Sequence, residues 1–243
     1  MCSRSWLCVA SSGPSRCRAT KSCFLSTPSA AATFANKNAG TNKAVTATGF
    51  AISGTDAGNY TLTQPSSMTA DITAKGISLT GITANDKVYD SGVVASLNVG
   101  SVGFTGLIGG DALSLDTSGA SSVFADKNVG TGKSVTASGL ALGGADAGNY
   151  TLTGQPTGLS AKITAKTLDL SGIVAHSKEY DGTTAITLDV GSISYTGVVG
   201  ADDVSVTGAG VTGVFADKNV GTNKTITLSG ITLSGSDAGN YVV

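Results

Sequence analysis

The chain has 243 residues, of which 13% are charged, and its formal net charge is −1. Glycine, with 34 residues, is about twice as frequent as in an average protein, whereas glutamate occurs once (Glu179), so a helical fold is not expected. No apolar run approaches the ~20 residues that span a membrane. Beyond residue 23 acidic groups outnumber basic ones, which leaves no basic patch for nucleic acid.

The first 32 residues differ from the rest and are predicted to be a non-modular leader, either disordered or an artefact of the reading frame. All four cysteines lie in this stretch, at Cys2, Cys8, Cys17 and Cys23. Their spacing fits no zinc site, and a disulfide framework would spread cysteines through the fold. A signal peptide is the competing interpretation, but the apolar stretch from Trp6 to Ala10 is shorter than a working hydrophobic core.

Three sequence segments recur in one register, with offsets of 90 and 91 residues. The FADKN segment is found at residues 34–38, 124–128 and 215–219, the DAGNY segment at residues 56–60, 146–150 and 237–241, and a KxYD segment at residues 87–90 and 178–181. Such a period indicates tandem modules. We therefore expect the second half of a truncated module at 33–72, with its start between Phe24 and Ala32, a complete module at 73–163, and a module without its last strand at 164–243. These are called the first, second and third repeat below.

Short alternating apolar and polar runs predict β-strands within the second repeat. They are Ile77–Thr83, Leu113–Leu115, Val135–Ser138, Leu140–Leu142, Tyr150–Leu152 and Leu159–Ile163. Turns are predicted at 109–111, 126–130 and 143–144 from their glycine, aspartate and asparagine content. Seven or eight short strands in about 90 residues are typical of a sandwich, so the predicted fold is all-β, with tandem immunoglobulin-like antiparallel β-sandwich modules.

The DAGNY segment resembles the tyrosine corner of immunoglobulin-type sandwiches. There the tyrosine hydroxyl bonds to upstream backbone, and we expect the aspartate to cap the turn and the glycine to adopt a positive φ. The position two residues after the tyrosine, where antibody domains carry a cysteine, is apolar in all three repeats: Leu62, Leu152 and Val243. The modules are therefore expected to rely on apolar burial, with Tyr89, Tyr180, Phe124 and Phe215 in their cores.

Side chains that could support catalysis are few, so no enzyme activity, catalytic residue or cofactor is predicted. His176, the only histidine, is replaced by Asn85 in the second repeat and is interpreted as a surface turn residue. The GxGxxG string at 208–213 lies among short strands, whereas a dinucleotide site requires a strand and a helix around it. Three asparagine sequons, at Asn59, Asn149 and Asn223, have a sufficient structural explanation where they overlap the DAGNY segment.

Acidic residues suggest a calcium site as a minor alternative. Asp202 and Asp203, compared with Gly110 and Asp111 in the second repeat, are interpreted as turn residues. Acidic loops between modules can bind calcium through oxygen ligands, and the candidates are Asp86, Asp90, Asp181 and the DAGNY aspartates. The glycine- and aspartate-rich calcium-binding nonapeptide is missing from the sequence, and no metal site is assigned.

The recurrent segments resemble the YDG-type repeats of large bacterial surface proteins of the filamentous-haemagglutinin kind. The resemblance depends on Tyr180-Asp181-Gly182-Thr183-Thr184, the FADKN segment and the DAGNY segment, and covers 33–243. The second repeat departs from it, since Ser91 and Gly92 follow Asp90, and the first has Asn36 in place of an aspartate. The resemblance implies an extracellular or cell-surface adhesin exported by two-partner secretion, without catalytic residues.

Two classes of function remain open at this point. The first is a structural stalk or spacer, in which each module contacts its neighbours in the same chain and the array acts near a host-cell or matrix surface. The alternative is a β-sandwich module that binds carbohydrate or a host protein through a patch recurring in each repeat. A calcium-stabilised surface repeat is a weaker alternative.

Overall fold

The structure, a computed structural model, describes residues 23–243. This part of the chain is all-β: 44% of it is strand, and it contains no helix of seven residues or more. The predicted all-β class is confirmed. The leader cysteines Cys2, Cys8 and Cys17, and the apolar stretch weighed as a signal peptide, lie outside the described residues.

Residues 23–243 contain twenty-seven short strands. Those of the first repeat are β1 Phe24–Ser26, β2 Ala31–Phe34, β3 Gly40–Thr48, β4 Ala51–Ser53 and β5 Met68–Ile72. Those of the second are β6 Lys75–Thr80, β7 Thr83–Ala84, β8 Lys87–Val88, β9 Leu97–Asn98, β10 Gly103–Thr105, β11 Ser114–Asp116, β12 Ser121–Phe124, β13 Gly130–Ser138, β14 Ala141–Gly143, β15 Tyr150–Leu152 and β16 Leu159–Thr164. Those of the third are β17 Lys166–Thr167, β18 Asp169–Ser171, β19 Val174–Ala175, β20 Ala185–Ile186, β21 Leu188–Asp189, β22 Ser194–Thr196, β23 Ser205–Thr207, β24 Thr212–Phe215, β25 Ile226–Ser229, β26 Thr232–Ser234 and β27 Tyr241–Val242.

The predicted strands of the second repeat are all present, with shifted ends. The strand expected over Ile77–Thr83 ends at Thr80, because Gly81 turns the chain with a φ of +74°. The strand expected over Val135–Ser138 begins earlier, at Gly130. Strand pairing also reaches upstream of residue 33, since β1 pairs antiparallel with β4 and β2 with β3.

The strands form many small sheets. The largest has the order β12-β13-β16-β8 in the second repeat, and sheets β2-β3-β5 and β20-β24-β25 contain the equivalent strands of the first and third repeats. Most pairs are antiparallel, as predicted. β16 and β8 pair in parallel, and so do β17 and β27. The prediction of an antiparallel arrangement was therefore wrong at these places, where strands distant in sequence meet in the same direction.

Gly139, between β13 and β14, allows two backbone segments to approach each other closely. Gly139 has a φ of +73°, and a Cβ at this position would lie 2.1 Å from the carbonyl oxygen of Gly119. Glycine is the residue that tolerates both conditions. Gly49 and Gly230, the equivalents in the first and third repeats, show the same conformation and the same close approach.

The described residues group into two compact units. The first comprises residues up to Gly76 together with Gly110–Ala112 and Ala145–Thr151, and the second comprises Ile77–Gly109, Leu113–Gly144 and Leu152–Val243. The second unit holds one apolar core cluster, which includes Tyr89, Phe124, Ile163, Leu168, Val204 and Tyr241. Since Tyr89 and Phe124 belong to the second repeat and Leu168, Val204 and Tyr241 to the third, this core is shared by two repeats.

The prediction that four aromatic residues are core residues is confirmed for two of them. Tyr89 and Phe124 are buried, and Phe215 is half-buried. Tyr180 contradicts the prediction, because 62% of it is exposed. Its counterpart Tyr89 is covered by side chains of the following repeat, so the burial of this tyrosine depends on a neighbouring repeat.

Among the described residues, no helix is long and apolar enough to cross a membrane.

Candidate functional site: a recurrent junction between repeats

The FADKN segment forms a tight turn that is fixed by its own side chains. In the second repeat Asp126 accepts a hydrogen bond from the backbone N–H of Asn128 at 2.8 Å, and it pairs with Lys133. The ammonium group of Lys133, followed by the bond from Asn128, lowers the pKa of Asp126. The same Asx-type turn occurs at Asn36 and Asp217. The side chain of the next residue, a lysine in each repeat, is thereby left available to reach outward.

The DAGNY segment forms a single 3₁₀ turn, at Ala57–Asn59, Ala147–Asn149 and Ala238–Asn240. The expected capping by aspartate is wrong, because none of these turns has a side-chain cap. Instead Asp146 Oδ2 accepts from the backbone N–H of Ala112 at 2.9 Å, and Asp237 Oδ2 accepts from Asp203 at 3.1 Å. The expected positive φ of the glycine is also wrong, since Gly148 and its equivalents have ordinary helical backbone.

Within the second unit, the FADKN lysine of the second repeat meets two carboxylates of the third. Lys127 Nζ lies 3.3 Å from Asp202 Oδ1 and 3.1 Å from Asp237 Oδ1. Lys127 also lies 5.9 Å from the centre of the Tyr89 ring. The bond to Asp237, followed by that to Tyr89, raises the pKa of Lys127 above its usual value, so the lysine is charged at neutral pH.

The polar contacts of this junction meet at the carboxylate of Asp202. Its side chain is only 7% exposed, and its Oδ2 accepts hydrogen bonds from the hydroxyl of Tyr241 at 2.6 Å and that of Tyr89 at 2.8 Å. The two tyrosine rings pack edge to face, with centroids 5.4 Å apart. A buried carboxylate is costly unless it is paired and hydrogen-bonded, and here two hydroxyl groups and an ammonium group satisfy it.

The tyrosine-corner prediction was partly wrong. The hydroxyl of Tyr241 does contact upstream backbone, because it accepts a bond from the N–H of Val199 at 3.0 Å. Its own proton goes to a carboxylate, Asp202, rather than to a backbone carbonyl. Tyr150 likewise donates to Asp111 at 2.7 Å. The corner is therefore an aspartate–tyrosine pair, which places the carboxylate where a lysine of the preceding repeat can reach it.

The DAGNY asparagine supplies a second link across the junction. Asn240 is buried, and its Oδ1 accepts from the backbone N–H of Val129 at 2.9 Å. Its Nδ2 donates to Asn128 Oδ1 at 3.3 Å. The amide group therefore holds the residue directly after the FADKN segment, and Val129 packs against the shared apolar core.

Counterparts of the lysine, aspartate and asparagine contacts occur between the first and second repeats, within the first unit. Lys37 Nζ lies 2.6 Å from Asp111 Oδ1 and 3.7 Å from Asp146 Oδ1. Asn149 Oδ1 accepts from the backbone N–H of Ala39 at 2.8 Å. Lysine, two aspartates, asparagine and tyrosine thus occupy equivalent places in both junctions.

Charge and burial act together on the ionisable groups of both junctions. The pKa of Asp202 is lowered, chiefly by the hydrogen bond from Tyr241 and against the effect of desolvation. The pKa of Asp111 is lowered by Lys37 and then by Tyr150. Burial raises the pKa of Tyr89 and Tyr241. These shifts favour the anionic form of Asp111 and Asp202 and the neutral form of Tyr89 and Tyr241.

The structure corrects the alignment of the acidic pair Asp202–Asp203. Asp202 matches Asp111 and Asp203 matches Ala112, since each pair makes the same contacts. The earlier comparison with Gly110 and Asp111 was shifted by one residue. The turn lies at 200–201, directly before the two aspartates, so the interpretation of Asp202 and Asp203 as turn residues was wrong, and Asp202 is a junction residue instead. The offset of 91 residues between Asp111 and Asp202 was the signal in the sequence that identifies it.

The remaining candidate residues do not come together into one site. His176 is exposed and follows β19. Asp90 and Asp181 pair with Lys87 and Lys178, at 2.7 and 2.8 Å, and the pKa of Asp181 falls to about 2, chiefly through Lys178.

The calcium candidate Asp86 has a hydrogen-bond partner nearby, and the GxGxxG string lacks the helix that a phosphate site requires. Asp86 accepts from the backbone N–H of Lys162. In the part of the chain that the structure describes, no group of three or more His, Cys, Asp or Glu side chains is arranged to hold a metal ion. The GxGxxG string at 208–213 begins directly after β23 and ends inside β24, so it lies among short strands, as predicted.

The family model of the YDG domain matches residues 23–69, 73–158 and 164–243. The chain belongs to the YDG domain family. No curated protein and no solved structure matches it significantly. The three YDG segments include every residue of the two junctions, so the lysine, aspartate, asparagine and tyrosine contacts are made between consecutive YDG segments.

Proposed function

We propose that the YDG modules of this chain are structural spacer units, which form a stalk within a secreted or cell-surface bacterial adhesin. The observation that carries the proposal is the recurrence of one junction. Lys37 and Lys127 make equivalent ion pairs with the next module, and Asn149 and Asn240 make equivalent backbone contacts. Nearest-neighbour interfaces of this kind are what stabilise repeat arrays.

The chemistry of the junctions supports a structural role. Their ionisable side chains bind one another, and Asp202 is satisfied by groups of the chain itself. The proposal assigns no catalytic step to the chain, since the only histidine, His176, is exposed and Asn85 takes its place in the second module. The immunoglobulin-like sandwich form of each module, and the relationship to filamentous-haemagglutinin-like adhesins of the two-partner secretion type, are parts of the same proposal.

Small-angle X-ray scattering tests the spacer role. The longest strands, β3 and β13, have nine residues and so extend about 30 Å. We expect the maximum dimension of chains with increasing numbers of modules to grow by a constant increment of that order. A dimension that stays constant, or grows irregularly as modules are added, contradicts the proposal. Asp202→Asn is the matched variant, because it weakens one junction while leaving the number of modules unchanged.

Surface location is tested separately. Antibodies raised against residues 73–163 are expected to label intact cells of the bacterium that carries the gene, and external protease is expected to remove that label. Labelling that requires permeabilised cells contradicts a surface role, whatever the scattering shows.

A further inference from the structure

The third module presents an open surface beside its YDG and FADKN segments. Tyr180, Phe215, Lys218 and Val220 line an open cavity of about 670 Å³ there. Tyr180 is 62% exposed and Val220 88% exposed. Apolar side chains that line one open cavity together with a cationic group are a feature that interaction sites share.

The equivalent surface of the second module is covered. Tyr89, which matches Tyr180, is 1% exposed. Val129, which matches Val220, packs against the shared core, and Lys127, which matches Lys218, pairs with two aspartates. The same kinds of residue thus occupy both surfaces, and the difference in exposure comes from what covers them.

We propose that the open surface of the third module binds a further YDG module, one that carries an aspartate at the position of Asp202 together with a DAGNY segment. Its two aspartates pair with Lys218, its asparagine accepts the backbone N–H of Val220, and its tyrosine packs on Tyr180. The proposal rests on the proposed spacer function and extends it, because it names the partner and the residues that select it.

Charge favours a different module over a second copy of this chain as the occupant. The first repeat has a DAGNY segment at 56–60, but the sequence position 90 residues before Asp111 is Lys21. Among the described residues the first repeat therefore supplies no counterpart of Asp202, whereas the equivalent aspartates of the second and third repeats already pair with Lys37 and Lys127. The aspartate at the Asp202 position is therefore the feature that a fitting module must have.

The test extends the full chain by appending a copy of residues 153–243 after Val243, which occupies the position of Leu152. The appended segment supplies a copy of β16 and one more YDG module with its own copies of Asp202 and Asp237. The readout is the rate at which tetranitromethane nitrates Tyr180, followed by peptide mass spectrometry, with Tyr89 as the internal reference for a covered tyrosine.

We expect nitration of Tyr180 to slow at least about tenfold in the extended chain, as for a side chain that reacts only after local opening. Lys218→Ala in the recipient module, or Asp202→Asn in the appended copy alone, is expected to restore most of the rate. A rate unchanged by the extension overturns the proposal, and so does protease digestion of the appended module while residues 24–243 stay intact. Protection of Tyr180 in the unextended chain at high concentration overturns the choice of occupant in favour of a second copy.

Failure of this inference and failure of the spacer function are distinguishable. An extended chain that scatters as a longer particle while Tyr180 stays reactive keeps the spacer function and refutes the docking contacts. A protected Tyr180 in a chain that does not lengthen keeps the docking contacts and refutes the spacer function.

Discussion

The junction between the second and third modules can be probed by removing one oxygen atom. Tyr89→Phe deletes the hydroxyl that donates to Asp202 at 2.8 Å, while the ring, which is buried against Tyr241, stays in place. Hydrogen bonds to charged groups contribute about 1.5–3 kcal/mol. Asp202 keeps its bonds to Tyr241 and Lys127, so we expect a loss at the low end, about 1.5 kcal/mol.

Urea unfolding followed by far-UV circular dichroism measures this loss. We expect a lower midpoint with an unchanged m-value, or a melting temperature lower by about 3–6 °C for a chain of this length. Tyr180→Phe is the matched control at the equivalent position of the third module. Because Tyr180 is exposed, its change is expected to stay within about 0.5 kcal/mol.

Two results would refute the reasoning. One is a Tyr89→Phe variant as stable as the parent chain, and the other is an equal loss for Tyr180→Phe. A double-mutant cycle with Asp202→Asn separates the pair from its surroundings, and the two substitutions are expected to be non-additive by about 0.5–1.5 kcal/mol. Additive effects would mean that the hydroxyl and the carboxylate do not stabilise each other.

Three further outcomes are expected. Gly139→Ala should lower the free energy of unfolding by more than about 2 kcal/mol in urea titrations, because it combines a left-handed backbone with a Cβ that would lie 2.1 Å from a carbonyl oxygen. Gly148→Ala is the control, since a Cβ at Gly148 would lie in open space. An equal loss for both variants would contradict the argument. Asn240→Ala should cost about 1–3 kcal/mol by leaving the N–H of Val129 without its acceptor, and hydrogen exchange at Val129 should accelerate; unchanged exchange would contradict it. The pKa of Asp202 is lower in the folded chain than in the unfolded one, chiefly through the hydrogen bond from Tyr241. The stabilisation that Asp202 contributes is therefore full above about pH 4 and is lost as the pH falls through the folded pKa. Urea midpoints measured from pH 7 to pH 2.5 should fall less steeply for Asp202→Asn than for the parent chain, and an identical slope would rule out this contribution.

Much of the fold could be predicted from local patterns. Alternating runs such as Leu159–Ile163 identified strands correctly, because one apolar face every second residue is a local requirement of a half-buried strand. Strand ends were predicted less well, since Gly81 and Gly130 act through turn and pairing geometry that periodicity does not contain. The parallel pairings of β16 with β8 and of β17 with β27 join strands far apart in sequence and had no local signal.

The junction was only partly predictable. The FADKN and DAGNY segments were recognised as recurrent, but the local interpretation of DAGNY gave its aspartate and glycine the wrong roles. Asp146 and Asp237 bind the backbone of a loop 34 residues upstream rather than their own turn. Asp202 was interpreted as a turn residue because its partners, Tyr89 and Lys127, lie 113 and 75 residues away.

The sequence by itself determined the class and the period of this protein. Glycine and β-branched residues at strand spacing require an all-β fold, and offsets of 90 and 91 residues require equivalent units. Only the tertiary structure decided which residues join those units. Tyr89 and Tyr180 occupy equivalent positions, yet one is buried and the other exposed. Burial is a property of what packs against a side chain, and for these tyrosines the covering group belongs to the next module.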